Sequence, residues 1–143
     1  MADILQDFPI AASPEHVFDA ISTPKLIDEW WTLASAGEPV VGASYKLDFG
    51  PEYQWSAEVT KADRGSAFEI KMTRADSDWT GTRVGFALSP SERGTQVRFY
   101  HTGWPVENEH YRISSHCWAM YLRILRRHIE HGESVPYNDR LDV

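Results

Sequence analysis

Cysteine is almost absent: Cys117 is the one thiol in 143 residues. A lone thiol closes no internal disulfide and builds no cysteine-rich zinc site, which makes a reducing cytoplasm the expected location. Positive charge is also scarce, with 14 Lys and Arg against 21 Asp and Glu and a formal net charge of −7. That balance excludes the clustered basic surface that a nucleic-acid duplex demands. Long apolar runs are missing, so no segment is expected to insert into a membrane. Near the N-terminus Asp3 and Asp7 interrupt any apolar stretch, and no signal-peptide core follows them. P-loop, dinucleotide, nucleophile-elbow and zinc-hydrolase motifs are all lacking, and no cofactor is expected.

What the chain has in quantity is aromatic side chains, six Trp, six Tyr and six Phe, so any cavity in it will have aromatic walls. Hydrophobic residues at 42% and charged residues at 24% are ordinary globular usage, and the length suits one domain over 1–143 with a single sizeable core. The longest regular segment runs from Glu107 to His131, where Trp118, Leu122, Leu125 and Ile129 stand at i, i+4, i+7 and i+11. That spacing places them on one face of an α-helix, and the face has to be covered.

The segments ahead of that helix supply the cover. Ile4, Phe8 and Ile10 alternate as a first strand. Ser13-Pro14 signals a helix start, Ser13 at the N-cap and Pro14 at the first helical position, with Val17, Ala20 and Ile21 as its buried face. Thr23-Pro24 repeats the signal and breaks that helix, so a second short one runs on to Trp30-Trp31. From Val40 to His101 the period becomes two, and turn residues separate five strands at 40–49, 53–62, 66–74, 79–88 and 94–101. Their short connections imply antiparallel hairpins, because a parallel crossover needs more chain. Alternation puts Leu47, Val59, Ile70, Val84 and Val97 on a buried face. Glu58, Glu69, Lys71, Arg83 and Arg98 fall on the opposite face, as solvated cross-strand charges each worth less than about 1 kcal/mol. After Gly132, a C-cap glycine, the tail is expected to wrap the surface or fray.

The expected class is therefore α+β: a curved antiparallel sheet of about six strands wrapped on a long C-terminal helix, with two short helices after the first strand. One helix does not fill the concavity of such a sheet, so a pocket is expected between them. From the sheet, Tyr45, Tyr53, Trp55, Phe68, Met72, Phe86 and Phe99 are expected to line it, and from the helix Tyr111, Ser115, Trp118 and Tyr121. Ser114 belongs to the same group of helix positions. Trp30 and Trp31 would cap it, and Trp104, in a Gly-Trp-Pro turn, would sit at an opening.

Several stretches together resemble the START-like, Bet v 1-like (SRPBCC) superfamily, and within it the branch named after the activator of Hsp90 ATPase. They are Ile10-Ala11-Ala12-Ser13-Pro14-Glu15-His16-Val17-Phe18-Asp19-Ala20, Thr23-Pro24 with Trp30-Trp31, and the last strand Thr95-Gln96-Val97-Arg98-Phe99-Tyr100-His101-Thr102-Gly103. The helix contributes Trp118, Leu122 and Leu125, then Glu130 before Gly132. The resemblance spans nearly the whole chain and implies a helix-grip fold. It departs from the branch at Cys117, where Gly often precedes the helix tryptophan; a buried Cys keeps the packing with a slightly wider approach. It does not extend to the additional N-terminal domain of the eukaryotic cochaperone.

Among reactive groups, His101 ends the last strand with buried-face parity, either as a ligand donor or general base at the pocket mouth or as a histidine held by a backbone carbonyl. His110 and His116 read as rim or polar-face residues. His128 and His131 flank Glu130, but two ligands without a third of suitable spacing make no metal site, and cations suit a helix C-terminus anyway. Three functions stay open. The pocket binds a small hydrophobic or aromatic molecule; or it serves a cyclase- or hydrolase-type enzyme in which His101 moves protons with Asp48 or Glu29; or the domain is a module for an Hsp90-type chaperone. Binding is preferred, because lining residues abound while an inward acid–base pair is lacking. A homodimer is left open.

Overall fold

Pro24 sets the architecture by stopping the first helical segment, because its ring and missing N–H cannot continue the turn that Ser13 starts. The computed structural model describes residues 1–143. Strand β1 (Ala2–Ile10) leads into α1 (Pro14–Ser22), whose N-cap Ser13 accepts a hydrogen bond from the His16 N–H, and then α2 (Pro24–Ile27). Six more strands follow: β2 (Ala34–Ala36), β3 (Ser44–Asp48), β4 (Gln54–Asp63), β5 (Ala67–Arg74), β6 (Arg83–Ser91) and β7 (Gly94–Trp104). The long helix α3 (Glu109–His131) and a 3-10 turn (Tyr137–Asp142) close the chain.

All seven strands form one antiparallel sheet in the order β1-β7-β6-β5-β4-β3-β2. The meander was legible in the turns; the position of β1 beside β7 depends on register, with Ile10 opposite Thr95 and Ala2 opposite Trp104. The sheet has one strand more than the six expected. Strand β2, Ala-Ser-Ala, has no apolar alternation to announce it and exists by pairing with Lys46–Asp48 of β3. Several boundaries also move: β3 starts at Ser44 rather than at residue 40, and α2 stops at Ile27, leaving Trp30 and Trp31 in the turn that follows. Trp79 to Thr82 form a turn rather than the start of β6, and β7 continues past His101 to Trp104.

Helix α3 begins where Asn108 accepts a hydrogen bond from the Tyr111 N–H at 2.9 Å and stops at Gly132, whose φ of 67° suits glycine. Trp118, Leu122 and Leu125 are buried as the spacing requires, while Ile129 is half-buried against the same core. Its far end is tied down by Glu130, whose carboxylate accepts the Ala11 N–H at 2.8 Å. The core therefore lies between α3, the two short helices and one face of the sheet. Each large side chain removed from water there contributes roughly 1.5–3 kcal/mol.

The outer face carries one departure from expectation. Glu69 is not solvated: it is 4% exposed, covered by Tyr100, whose ring lies across Gly85 where a Cβ would collide with it. Its carboxylate accepts from Tyr100, Thr60 and Arg83, with Lys61 nearby. Burial alone would raise its pKa, but those hydrogen bonds outweigh burial and hold it below the usual carboxylate value.

Candidate functional site: an aromatic cleft at one end of the sheet

The period of α3 defines two stripes. Trp118, Leu122 and Leu125 face the core, and one step round the helix His110, Ile113, Ser114, Cys117 and Tyr121 face a cleft, with Trp118 at the boundary of both. The cleft has a volume of about 370 Å³ and is open at one end. Opposite α3, its wall comes from Phe49, Tyr53 and Trp55 around the β3–β4 turn and from Asp76 and Trp79 between β5 and β6. Trp31 forms the floor, and Tyr137 of the C-terminal turn closes the remaining side.

The rings of this wall pack on one another rather than floating. Trp79 stands 4.9 Å from Trp55 and 6.0 Å from Trp118 between centroids, the second pair stacked within 24°. Trp31 lies 5.1 Å from Trp118, and Phe49 bridges Trp31 and Trp55 at 5.4 and 5.2 Å. Offset and edge-to-face pairs of this kind each contribute about 0.5–1.5 kcal/mol beyond area burial, so the wall is largely preformed. Tyr137 is fixed by its hydroxyl donating to the Phe49 carbonyl and by Arg140 next to it. Arg140 is buried because its guanidinium donates to the Asp28, Thr32 and Val135 carbonyls. The tail thus runs over the surface, most of its residues exposed, and through Tyr137 it adds a wall to the cleft.

Five of the expected lining residues meet in the cleft: Trp31, Tyr53, Trp55, Trp118 and Tyr121, along with the neighbouring Ser114. Others lie deeper. Trp30, Tyr45, Phe68 and Phe86 surround a void of only about 10 Å³, too small for more than one water, and Met72 and Phe99 are packed in the core. Tyr111 and Ser115 lie beside β1 and outside the cleft lining: the Tyr111 hydroxyl donates to the Asp3 carbonyl, and the Ser115 backbone carbonyl accepts from the Gln6 side chain. Trp104 corrects the loop assignment: as the last residue of β7 it is 0% exposed, ringed edge-to-face by His110 and Tyr111. Its indole N–H, like that of Trp79, has no hydrogen-bond partner, and ring faces are the weak acceptors on hand.

His101 is also corrected. It is 0% exposed and does not reach the cleft. Its Nδ1 accepts the Trp118 indole N–H at 3.1 Å. Nε2 therefore carries the proton and donates to the Thr82 hydroxyl at 2.8 Å, which in turn donates to the Trp79 carbonyl. Both ring nitrogens are engaged in the neutral form, and burial lowers the pKa to about 3, with His110 adding to the effect. Asp48 caps the β3–β4 turn through Gly50 and Gln54, and Glu29 accepts from Ser134. Neither carboxylate is hydrogen-bonded to His101.

The polar rim has a different histidine. His110 Nδ1 stands 2.8 Å from Asp78 Oδ2, and Asn108 donates to the same oxygen at 3.3 Å. Burial would raise the Asp78 pKa, but these two donors hold it below the usual aspartate value. Asp76 joins them so that one ligand atom from each of Asp76, Asp78 and His110 lies within 4.8 Å of the others. Those three groups could hold a divalent cation. Asp76 and Asp78 escape sequence reading because they fall in a turn between strands, where parity carries no information; Trp79 escapes it because the turn extends over a residue expected to start a strand; His110 lies at the rim, as its position in the first turns of the helix suggests.

Residues 11–130 match the family described as Activator of Hsp90 ATPase homolog 1-like protein. The chain belongs to this family. No curated protein matches it. Among solved structures, the Aha1 dimer from Colwellia psychrerythraea is 29% identical with a TM-score of 0.85, covering 94% of this chain and all of its own. A protein of Mesorhizobium loti is 21% identical with a TM-score of 0.79 over 92% of this chain and 99% of its own. DynU16, a putative protein in the dynemicin biosynthetic locus, is 18% identical with a TM-score of 0.76, and the match covers 92% of this chain and 48% of DynU16. The fold of this family member is the helix-grip, with seven strands, and no helix in it is long and apolar enough to cross a membrane.

Proposed function

We propose that this member of the family binds a small hydrophobic or aromatic molecule in the cleft between α3 and the β3–β4 end of the sheet. The observation that carries the reading is a cavity of about 370 Å³ with ten hydrophobic residues among its thirteen lining residues, within the size and polarity range of small-molecule sites. Native mass spectrometry of freshly purified protein tests it by seeking a co-purified small molecule. Quenching of tryptophan fluorescence by a set of apolar aromatic probes is the companion measurement, since Trp31, Trp55, Trp79 and Trp118 all line the cleft. Failure of both would end the proposal. A cyclase or hydrolase built on the same cleft would need a base other than His101, whose nitrogens are both engaged.

A second reading concerns partners. The family description and the dimeric state of the Colwellia relative support self-association and a partner of the Hsp90-type chaperone class. Sedimentation velocity across a concentration series tests the first, and a pull-down with purified Hsp90-type chaperone tests the second. A cytoplasmic location belongs to the same reading, supported by the single thiol; fractionation of the expressing cells checks it.

A further inference from the structure

The lining of the cleft has a charge pattern as well as an apolar one. No Lys or Arg is part of it; its ionisable side chains outside the aromatics are Asp76, His110 and Cys117. Burial pushes the Cys117 thiol up, so it stays neutral. His110 Nδ1 stands 2.8 Å from Asp78, whereas the exposed Asp76 carboxylate has neither an ion-pair nor a hydrogen-bond partner and is left as an uncompensated negative charge at the rim. Arg140, behind the Tyr137 ring at 5.3 Å, is committed to three backbone carbonyls.

Eight of the thirteen lining residues are aromatic, four of them Trp. Aromatic faces carry negative quadrupole potential and attract a cation most strongly where water is thin. A strongly hydrated ammonium or metal aqua ion gains little from such walls, since they offer few oxygen acceptors to replace its water. A quaternary ammonium has no N–H to satisfy and spreads its charge over methyl groups, so it matches both the apolar walls and the rim carboxylate.

We propose that the cleft selects an organic cation, with a quaternary ammonium group held among the tryptophans and tyrosines and Asp76 supplying the counter-charge. This rests on the reading of the cleft as a ligand site. The test uses choline and its uncharged carbon isostere 3,3-dimethylbutan-1-ol, which differ by N⁺ against C at the same shape. Each is titrated into the full chain in the presence of EDTA, with tryptophan fluorescence and indole N–H chemical shifts as readouts. Choline is expected to bind at least about tenfold more tightly than the alcohol, and Asp76→Asn to weaken choline more than it weakens the alcohol. Equal or tighter binding of the alcohol overturns the cation proposal while leaving the apolar-ligand reading intact. Binding of neither, together with no response to neutral aromatic probes, overturns both.

Discussion

His101 should make this protein lose stability between pH 7 and pH 5, because its buried ring has to charge when the chain unfolds. The buried ring is neutral in the folded state, its pKa lowered from 6.5 to about 3 chiefly by burial. The unfolded chain takes up a proton near pH 6.5 and the folded one does not until about pH 3. Between those values the unfolded state binds more protons, so stability rises with pH and is lost as pH falls. At about 1.4 kcal/mol per pH unit of separation, lowering the pH from 7.5 to 5 costs about 2 kcal/mol. Urea unfolding followed by tryptophan fluorescence at both pH values measures it. The lowered carboxylates Glu69 and Asp78 act below this window, so they do not confuse the result. His101→Gln keeps an acceptor for Trp118 and a donor for Thr82 but has no proton to gain, and its stability should change far less over the same interval. If wild type and His101→Gln show the same pH dependence, the neutral, doubly bonded histidine is wrong.

Trp118→Phe and Trp104→Phe remove the same atoms with opposite hydrogen-bond consequences. The first leaves His101 Nδ1 buried without its donor, the second removes an indole N–H that has no partner, so Trp118→Phe should cost about 1–3 kcal/mol more in urea unfolding. Tyr100→Phe strips a hydrogen bond from the buried Glu69 carboxylate and should cost about 1.5–3 kcal/mol at pH 7. The Glu69 contribution is present above its unfolded pKa and lost as pH falls through the folded value, so the gap between wild type and variant should close in acid. Ile113, 51% exposed at the cleft, can be enlarged with little effect on the core: Ile113→Trp should leave unfolding within about 0.5 kcal/mol and abolish binding of an aromatic probe.

Legibility followed periodicity. Where residues alternate or recur with the helical period, as in β5, β7 and α3, the sequence named the right face, because burial there is decided by which side of the backbone a side chain leaves. Strand β2 was invisible because Ala-Ser-Ala has no apolar alternation and takes its identity from Lys46–Asp48. Glu69 had outward parity but is covered because Gly85 lets Tyr100 lie down across it; parity reports a direction, not what lies above it. Gly103 and Pro105 on either side of Trp104 suggest a loop, yet β7 keeps pairing through that glycine as far as Ala2.

The cleft was half legible for a related reason. A helix face is readable from spacing, but which of two neighbouring faces meets solvent depends on where the sheet ends. Tyr111 and Ser115 lie on the side of α3 that β1 covers, while His110, Ile113 and Ser114 lie where the sheet stops and the turns begin. The walls beyond that edge are Trp79 and Tyr137, one from a turn and one from the tail, the segments in which neither period operates. Their positions are fixed from a distance: Trp79 by its carbonyl accepting from Thr82, the hydroxyl that also receives His101, and Tyr137 by Phe49 and Arg140. His101 thus acts on the site from behind, as the buried post that bonds Thr82 and Trp118 and packs its ring 4.4 Å from Trp79. Replacing it should alter ligand affinity through that wall, with no change in the chemistry presented to the ligand.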